Sequence, residues 1–199
     1  MKKIFTLVAG VFLFATTLSA QSLTDFLKGA ATSVVDEITG GKATEALLPG
    51  SWSYADPAVR LVGSDVLADM LANTATQTIE SKLKKAYEYA GIKSGACSFT
   101  FDKDGVFSMM VGKRTLSGTY TFEAATHKLQ LLFDSSLIKL GAMTGYAFID
   151  GDNVDLVFDC PKLFDLIVKL GAKVSSLSAL TAIVEKYDGM MLGFSLTRN

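Results

Sequence analysis

From Cys97 to Phe133, apolar residues return at every second position through four short segments, each ending at a turn-forming spot. One parity holds Cys97, Phe99 and Phe101, then Phe107, Met109 and Val111, then Leu116, Tyr120 and Phe122, then Leu129, Leu131 and Phe133. Between them stand Ser98, Thr100, Ser108, Thr115, Ser117, Thr119, Thr121 and Gln130. Successive side chains of a strand point to opposite faces, so this pattern describes strands with one face buried and one in water, as in an antiparallel meander. Asp104-Gly105 is a strong hairpin signal and Gly112-Lys113 a weaker one.

The flanking sequence supplies four more strands and several helices. Leu23, Phe26, Leu27, Ala30, Val34 and Ile38 recur at helical spacing, with Ser22 as cap and Gly40-Gly41 as stop. A link through Pro49 leads to a first strand over Gly50-Ser51-Trp52-Ser53-Tyr54. Ser64 is placed to cap a helix over Asp65 to Asn73, and Thr74 a longer one with Ile79, Leu83, Tyr87 and Ala90 on one side. After the four central strands, Thr144, Tyr146 and Phe148 alternate along a sixth and Val154, Leu156 and Phe158 along a seventh, with Asp150-Gly151-Asp152-Asn153 turning between them. Two helices follow, one carrying Leu163, Leu166, Ile167 and Leu170, the other Leu177, Leu180 and Val184. Leu192, Phe194 and Leu196 alternate along an eighth strand.

The first 20 residues stand apart. Lys2 and Lys3 precede an apolar stretch from Ile4 to about Ala15 and a small-residue end at Ala20. That is the pattern of a cleaved secretory signal peptide, and the stretch falls short of the roughly 20 residues a spanning helix needs. The expected organisation is a signal peptide over 1–20, an amphipathic helix and linker over 21–49, and a barrel domain over 50–199, delivered to the periplasm or the extracellular medium. A net charge of −1 offers no basic footprint for nucleic acid, and the mature chain shows no second run long enough to span a bilayer.

Eight antiparallel strands can close into an up-and-down barrel whose inside holds side chains or one small ligand. The expected class is mainly β, with an N-terminal helix and helical insertions after strand 1 and before strand 8. Alternating strand direction puts both insertions at one end, together with Cys97 and Cys160. A disulfide between these two would close the loop from 97 to 160, worth roughly 4 kcal/mol in the chain-entropy model; two buried free thiols are the other reading. At the opposite end Trp52, near the start of strand 1, meets Arg198, at the end of strand 8, so that a guanidinium can cover the indole.

Gly50-Ser51-Trp52 opening such a barrel, with a basic residue ending the last strand, resembles the lipocalin and wider calycin pattern. The chain more closely resembles a secreted bacterial lipocalin-like family of unknown function. That likeness is carried by Pro49 to Tyr54, Ile79 to Leu83, Phe99 to Gly105, Ser117 to Phe122 and Tyr187 to Met190. It implies a barrel and an exported context, and it supplies no catalytic residues. The helical insertion after strand 1 departs from ordinary lipocalins, which have a long loop there, so no known lipocalin ligand carries over.

Enzyme signatures are thin. The single histidine, His127, falls in a turn and reads as a solvated residue rather than a base. No His or Cys cluster suits a metal, the Asp150 and Asp152 turn lacks the ligand count of a calcium loop, and no glycine-rich phosphate loop occurs. The expectation is a non-enzymatic protein without cofactor that binds a small apolar or amphipathic ligand inside the barrel. Phe99, Phe101, Phe107, Met109, Tyr120, Tyr146, Phe148 and Phe194 are the expected lining. The alternative is a structural or partner-binding envelope protein with a solidly packed barrel.

Overall fold

The computed structural model describes residues 32–61, 74–134, 138–187 and 189–199. The signal peptide, the helix positions Leu23, Phe26, Leu27 and Ala30, and the helix expected over Asp65 to Asn73 lie outside them. Two helices, α1 (Thr32–Thr39) and α2 (Lys42–Leu47), lead into β1 (Gly50–Leu61), which is followed by α3 (Thr74–Ala90). Then come β2 (Cys97–Phe101), β3 (Val106–Val111), β4 (Arg114–Glu123), a 3-10 turn (Ala124–Thr126), β5 (Lys128–Phe133), β6 (Ala142–Asp150) and β7 (Asn153–Asp159). Helices α4 (Cys160–Leu170) and α5 (Val174–Val184) precede β8 (Met190–Arg198).

The strands form a closed antiparallel barrel in chain order, with β8 returning to β1. Closure removes the unpaired edges that an open sheet would leave. The alternating stretch from Cys97 to Phe133 becomes the wall: β5 alternates exposed and buried from Lys128 to Phe133, and β2 buries Cys97, Phe99 and Phe101.

Three features depart from the reading of the sequence. Strand β1 runs on to Leu61 rather than ending near Tyr54. Its register shifts between Tyr54 and Asp56, which passes the inward parity from Trp52 and Tyr54 to Pro57 and Val59. Pro57 reads as a strand breaker, and proline is tolerated beside such a bulge. The link before Pro49 contains α2, a helix too short for its periodicity to show. On β6 the parity is reversed: Met143, Gly145, Ala147 and Ile149 are buried, while Thr144, Tyr146 and Phe148 take the half-buried outer positions.

The barrel has a helical end and a turn end. At the helical end α3 lays Ile79, Leu83, Ala86 and Tyr87 into the main core, the i, i+4 stripe of an amphipathic helix. Helix α4, with Pro161 in its first turn, adds Leu163, Leu166 and Ile167. At the turn end Leu48, just after α2, enters the same core beside Trp52.

Candidate functional site

The barrel interior is the place to look for a ligand, and its geometry is dominated by rings in mutual contact. Tyr87 of α3 stacks on Phe194 of β8 with centroids 5.0 Å apart and 16° between planes. Phe194 meets Phe99 at 5.2 Å, Phe99 meets Phe101 at 6.3 Å, Phe101 meets Phe107 at 6.3 Å, and Phe107 meets Phe133 edge-on at 5.0 Å. Phe158 and Tyr54 flank Phe194 at 6.3 and 6.4 Å. These are the spacings of offset and T-shaped aromatic pairs. Phe99, Phe101, Phe107, Met109 and Phe194, five of the expected lining residues, are all inward and buried.

Two inward glycines make room for the rings. Phe107 pairs across the sheet with Gly118, and Phe158 with Gly145. A Cβ on Gly118 would stand 2.9 Å from the Phe107 ring, and one on Gly145 would stand 2.5 Å from Phe158. The rings lie against bare backbone, so the wall is hollowed where its aromatics need depth.

Of the remaining expected lining residues, Tyr120 is half-buried, sits edge-on to Phe101 at 5.0 Å, and donates its hydroxyl to the Asp102 carbonyl at 2.6 Å. Tyr146 and Phe148 are not in the interior. They pack on the outside of the wall against Ala58, Val157 and Met191. There Phe148 stacks with the His127 ring at 5.0 Å and lies 4.5 Å beneath the Arg60 guanidinium, which also pairs with Asp155 at 2.9 Å. The error has a physical origin: α1 and α2 cover part of β6, so both faces of that strand carry apolar residues and alternation no longer tells inside from outside.

The expected disulfide is not formed. Cys97 and Cys160 are separate buried thiols. The Cys160 thiol donates to the Met190 carbonyl at 3.3 Å, while burial pushes Cys97 up to about 12 and Cys160 to about 11. Both act as small apolar residues, and a thiol with so little thiolate is a poor nucleophile.

At the turn end, Trp52 and Arg198 are direct cross-strand partners, and the guanidinium carbon lies 4.2 Å from the indole centroid. Trp52 Nε1 donates to the Leu48 carbonyl at 2.9 Å, and Arg198 donates to the Leu47 carbonyl. Both bonds satisfy carbonyls at the end of α2 that the helix itself leaves open, so the indole and guanidinium seat that helix on the barrel.

Two groups were missed by reading the sequence for strand parity alone. Tyr87 enters from the helical end, its hydroxyl bonded to the Gly193 carbonyl at 2.7 Å; the Ile79, Leu83, Tyr87 spacing was the available signal. Tyr54 is 3% exposed, and its hydroxyl is a buried polar atom without a partner among the described residues. Burial raises it well above the usual phenol range, with Asp56 adding to the shift. His127 is also not a solvated turn residue. Its Nε2 lies 2.9 Å from Asp36 Oδ2, and Asp36, itself 3% exposed, accepts from the Thr44 amide at 2.8 Å and the Thr44 hydroxyl at 2.5 Å. The Thr44 oxygen in turn accepts from the Ile149 amide at 3.2 Å. The cluster fastens α1 and α2 to β6.

The family model described as a lipocalin-like domain (DUF4923) matches residues 23–198, most of the chain. The chain belongs to this lipocalin-like family. Among solved structures, a DUF4847 family protein from Bacteroides vulgatus is similar at 14% identity and a TM-score of 0.37, covering 78% of this chain and 96% of its own. No curated protein matches. Among the described residues of this lipocalin-like chain, no group of three or more His, Cys, Asp or Glu side chains is placed to hold a metal ion. A depression of about 590 Å³ lies outside the barrel, between α4 and α5, lined by Phe164, Val168, Val174 and Leu177 among others.

Proposed function

We propose that this lipocalin-like protein is an exported, non-enzymatic scaffold whose barrel is filled by its own aromatic side chains and whose function lies on its outer surface. The observation that carries this reading is the run of touching rings from Tyr87 through Phe194, Phe99, Phe101 and Phe107 to Phe133. The run follows the wall from β8 to β5, and Phe99, Phe101, Phe107, Met109 and Phe194 are each 2% exposed or less, so the inward surface that would face a ligand is covered by neighbouring side chains. The carrier reading, with a small apolar or amphipathic guest among Phe99, Phe101, Phe107, Met109 and Phe194, would require these rings to part. An export context rests on the Lys2-Lys3 start, the apolar stretch and the small-residue end at Ala20.

The test is native mass spectrometry of protein purified without denaturant, with organic extraction of the same sample. The expected result is the mass of the polypeptide alone and no stoichiometric lipid in the extract. A hydrophobic molecule recovered at one per chain, and lost in a Phe101→Trp variant that remains folded, overturns the filled barrel and restores the carrier.

A further inference from the structure

Among the described residues, one side of the helical end gathers cations around exposed apolar side chains, while the loops of the turn end are rich in carboxylates. Four segments meet there. The Gly112 amide donates to the Ala96 carbonyl at 2.7 Å, joining the β3–β4 turn to the approach of β2. Arg114 donates to the Leu170 carbonyl at 3.1 Å, joining that turn to the end of α4. Lys169 donates to the Lys139 carbonyl at 2.6 Å, bringing in the segment before β6. Gly171 abuts the Tyr89 carbonyl at the end of α3.

Across residues 88–96, 111–115, 134, 138–140 and 165–174, the cations are Lys93, Lys113, Arg114, Lys139, Lys169 and Lys173. Three carboxylates, Glu88, Asp134 and Asp165, stand against them, and Asp165 is already tied to Lys169 at 2.7 Å. At the turn end, residues 36–45, 101–106, 123–128, 149–153 and Arg198 hold eight carboxylates and four Lys or Arg. Within the cationic end Tyr89 is 69% exposed and Val174 71%. The turn end exposes Ile38 and Val106 as well, so what sets the helical end apart is that its exposed apolar side chains stand among cations rather than carboxylates.

We propose that this end docks on an anionic lipid surface, with Lys93, Lys113, Arg114 and their neighbours over the headgroups and Tyr89 and Val174 entering the interface. Charge complementarity between this patch and its surroundings selects an anionic partner. Lipid is favoured over an acidic protein or polymer by the residue pairing: an amphipathic tyrosine and an aliphatic side chain among lysines is the composition that settles at a headgroup boundary. No described helix is long and apolar enough to cross a membrane. The inference deepens the outer-surface reading above, and its failure would leave the filled barrel untouched, because that is judged by mass alone.

The experiment is co-sedimentation of the purified protein with vesicles of phosphatidylglycerol and phosphatidylcholine in equal parts, beside vesicles of phosphatidylcholine alone. Binding to the anionic vesicles only is expected, falling about tenfold or more in a Lys93→Glu/Lys113→Glu variant whose circular dichroism is unchanged. A Tyr89→Ser/Val174→Ser variant should also bind more weakly. Absence of sedimentation with anionic vesicles overturns the proposal, as does full binding by the charge-reversed variant. Binding that ignores Tyr89 and Val174 and is competed away by soluble polyglutamate also overturns it, assigning the patch to an acidic polymer.

Discussion

The two halves of the barrel wall are built on different rules. Strands β2 to β5 separate their faces: Phe99, Phe101, Phe107, Met109, Leu129 and Leu131 are buried inside, while Thr100, Met110, Thr119 and Gln130 are exposed outside. In β6, β7, β8 and the distal part of β1, a second apolar layer forms on the outside from Tyr146, Phe148, Val157, Met191 and Ala58. A wall wetted on one side needs one apolar parity; a wall partly covered on both sides needs two. The difference therefore separates residues that hold the interior together from residues that hold attachments to its exterior.

The largest effect that distinguishes the halves comes from one ring on each side. Phe194 is fully buried and touches Tyr54, Tyr87, Phe99 and Phe158. Phe194→Ala is expected to cost about 3–5 kcal/mol, the price of a large cavity in a packed core. Phe148→Ala, which loses the His127 stack and the Arg60 contact on the outer wall, is expected to cost about 1–2 kcal/mol. Urea denaturation monitored by circular dichroism measures both. Equal losses would mean that the outer layer is as much a core as the inner one.

That contrast also explains what could be read from the sequence. The clean half was legible because its inward positions are apolar throughout and its outer face is mostly polar, with Val106, Met110 and Leu132 as exposed exceptions. In β6 the run Met143, Thr144, Gly145, Tyr146, Ala147, Phe148, Ile149 offers two candidate parities. The inward set is the one with the small residues Gly145 and Ala147, and at Gly145 the Phe158 ring lies against bare backbone. Trp52 and Arg198 could be paired in advance because barrel closure makes the first and last strands neighbours whatever their sequence. The Asp36, Thr44 and His127 cluster could not, since nothing local to residue 36 announces a partner 91 positions away. The cysteines met the parity requirement and still did not bond, because parity sets a face and not a sulfur-to-sulfur geometry.

A smaller effect tests the outer attachment directly. Asp36→Ala removes the acceptor of the Thr44 amide and hydroxyl and of the His127 ring. Leaving buried donors without a partner costs about 1–3 kcal/mol. Hydrogen exchange at the amides of 36–47 should accelerate, while the amides of β2 to β5 keep their protection. Acceleration throughout the barrel would show that α1 and α2 unfold only together with it, and the two-part description of the wall would fail.

A further effect lies at alkaline pH and belongs to the interior alone. Cys97 and Cys160 hold their protons in the folded chain up to about 12 and about 11, against a thiol value of 9.0 outside the fold. Above pH 9 the unfolded chain therefore binds fewer protons than the folded one, and stability falls as pH rises. Below pH 9 both states are protonated and this contribution is constant. Substituting Cys97→Ala removes one titrating group, so the loss of stability between pH 9 and 11 should be shallower than in the parent chain when each is normalised to its own value at pH 8. Urea midpoints across that range provide the measurement. An unchanged slope would mean that the Cys97 thiol is not held protonated by burial. Tyr54 and Tyr87, both raised by burial, would then carry the alkaline sensitivity of the interior, and substitution of either by Phe should flatten the slope that Cys97→Ala had left in place.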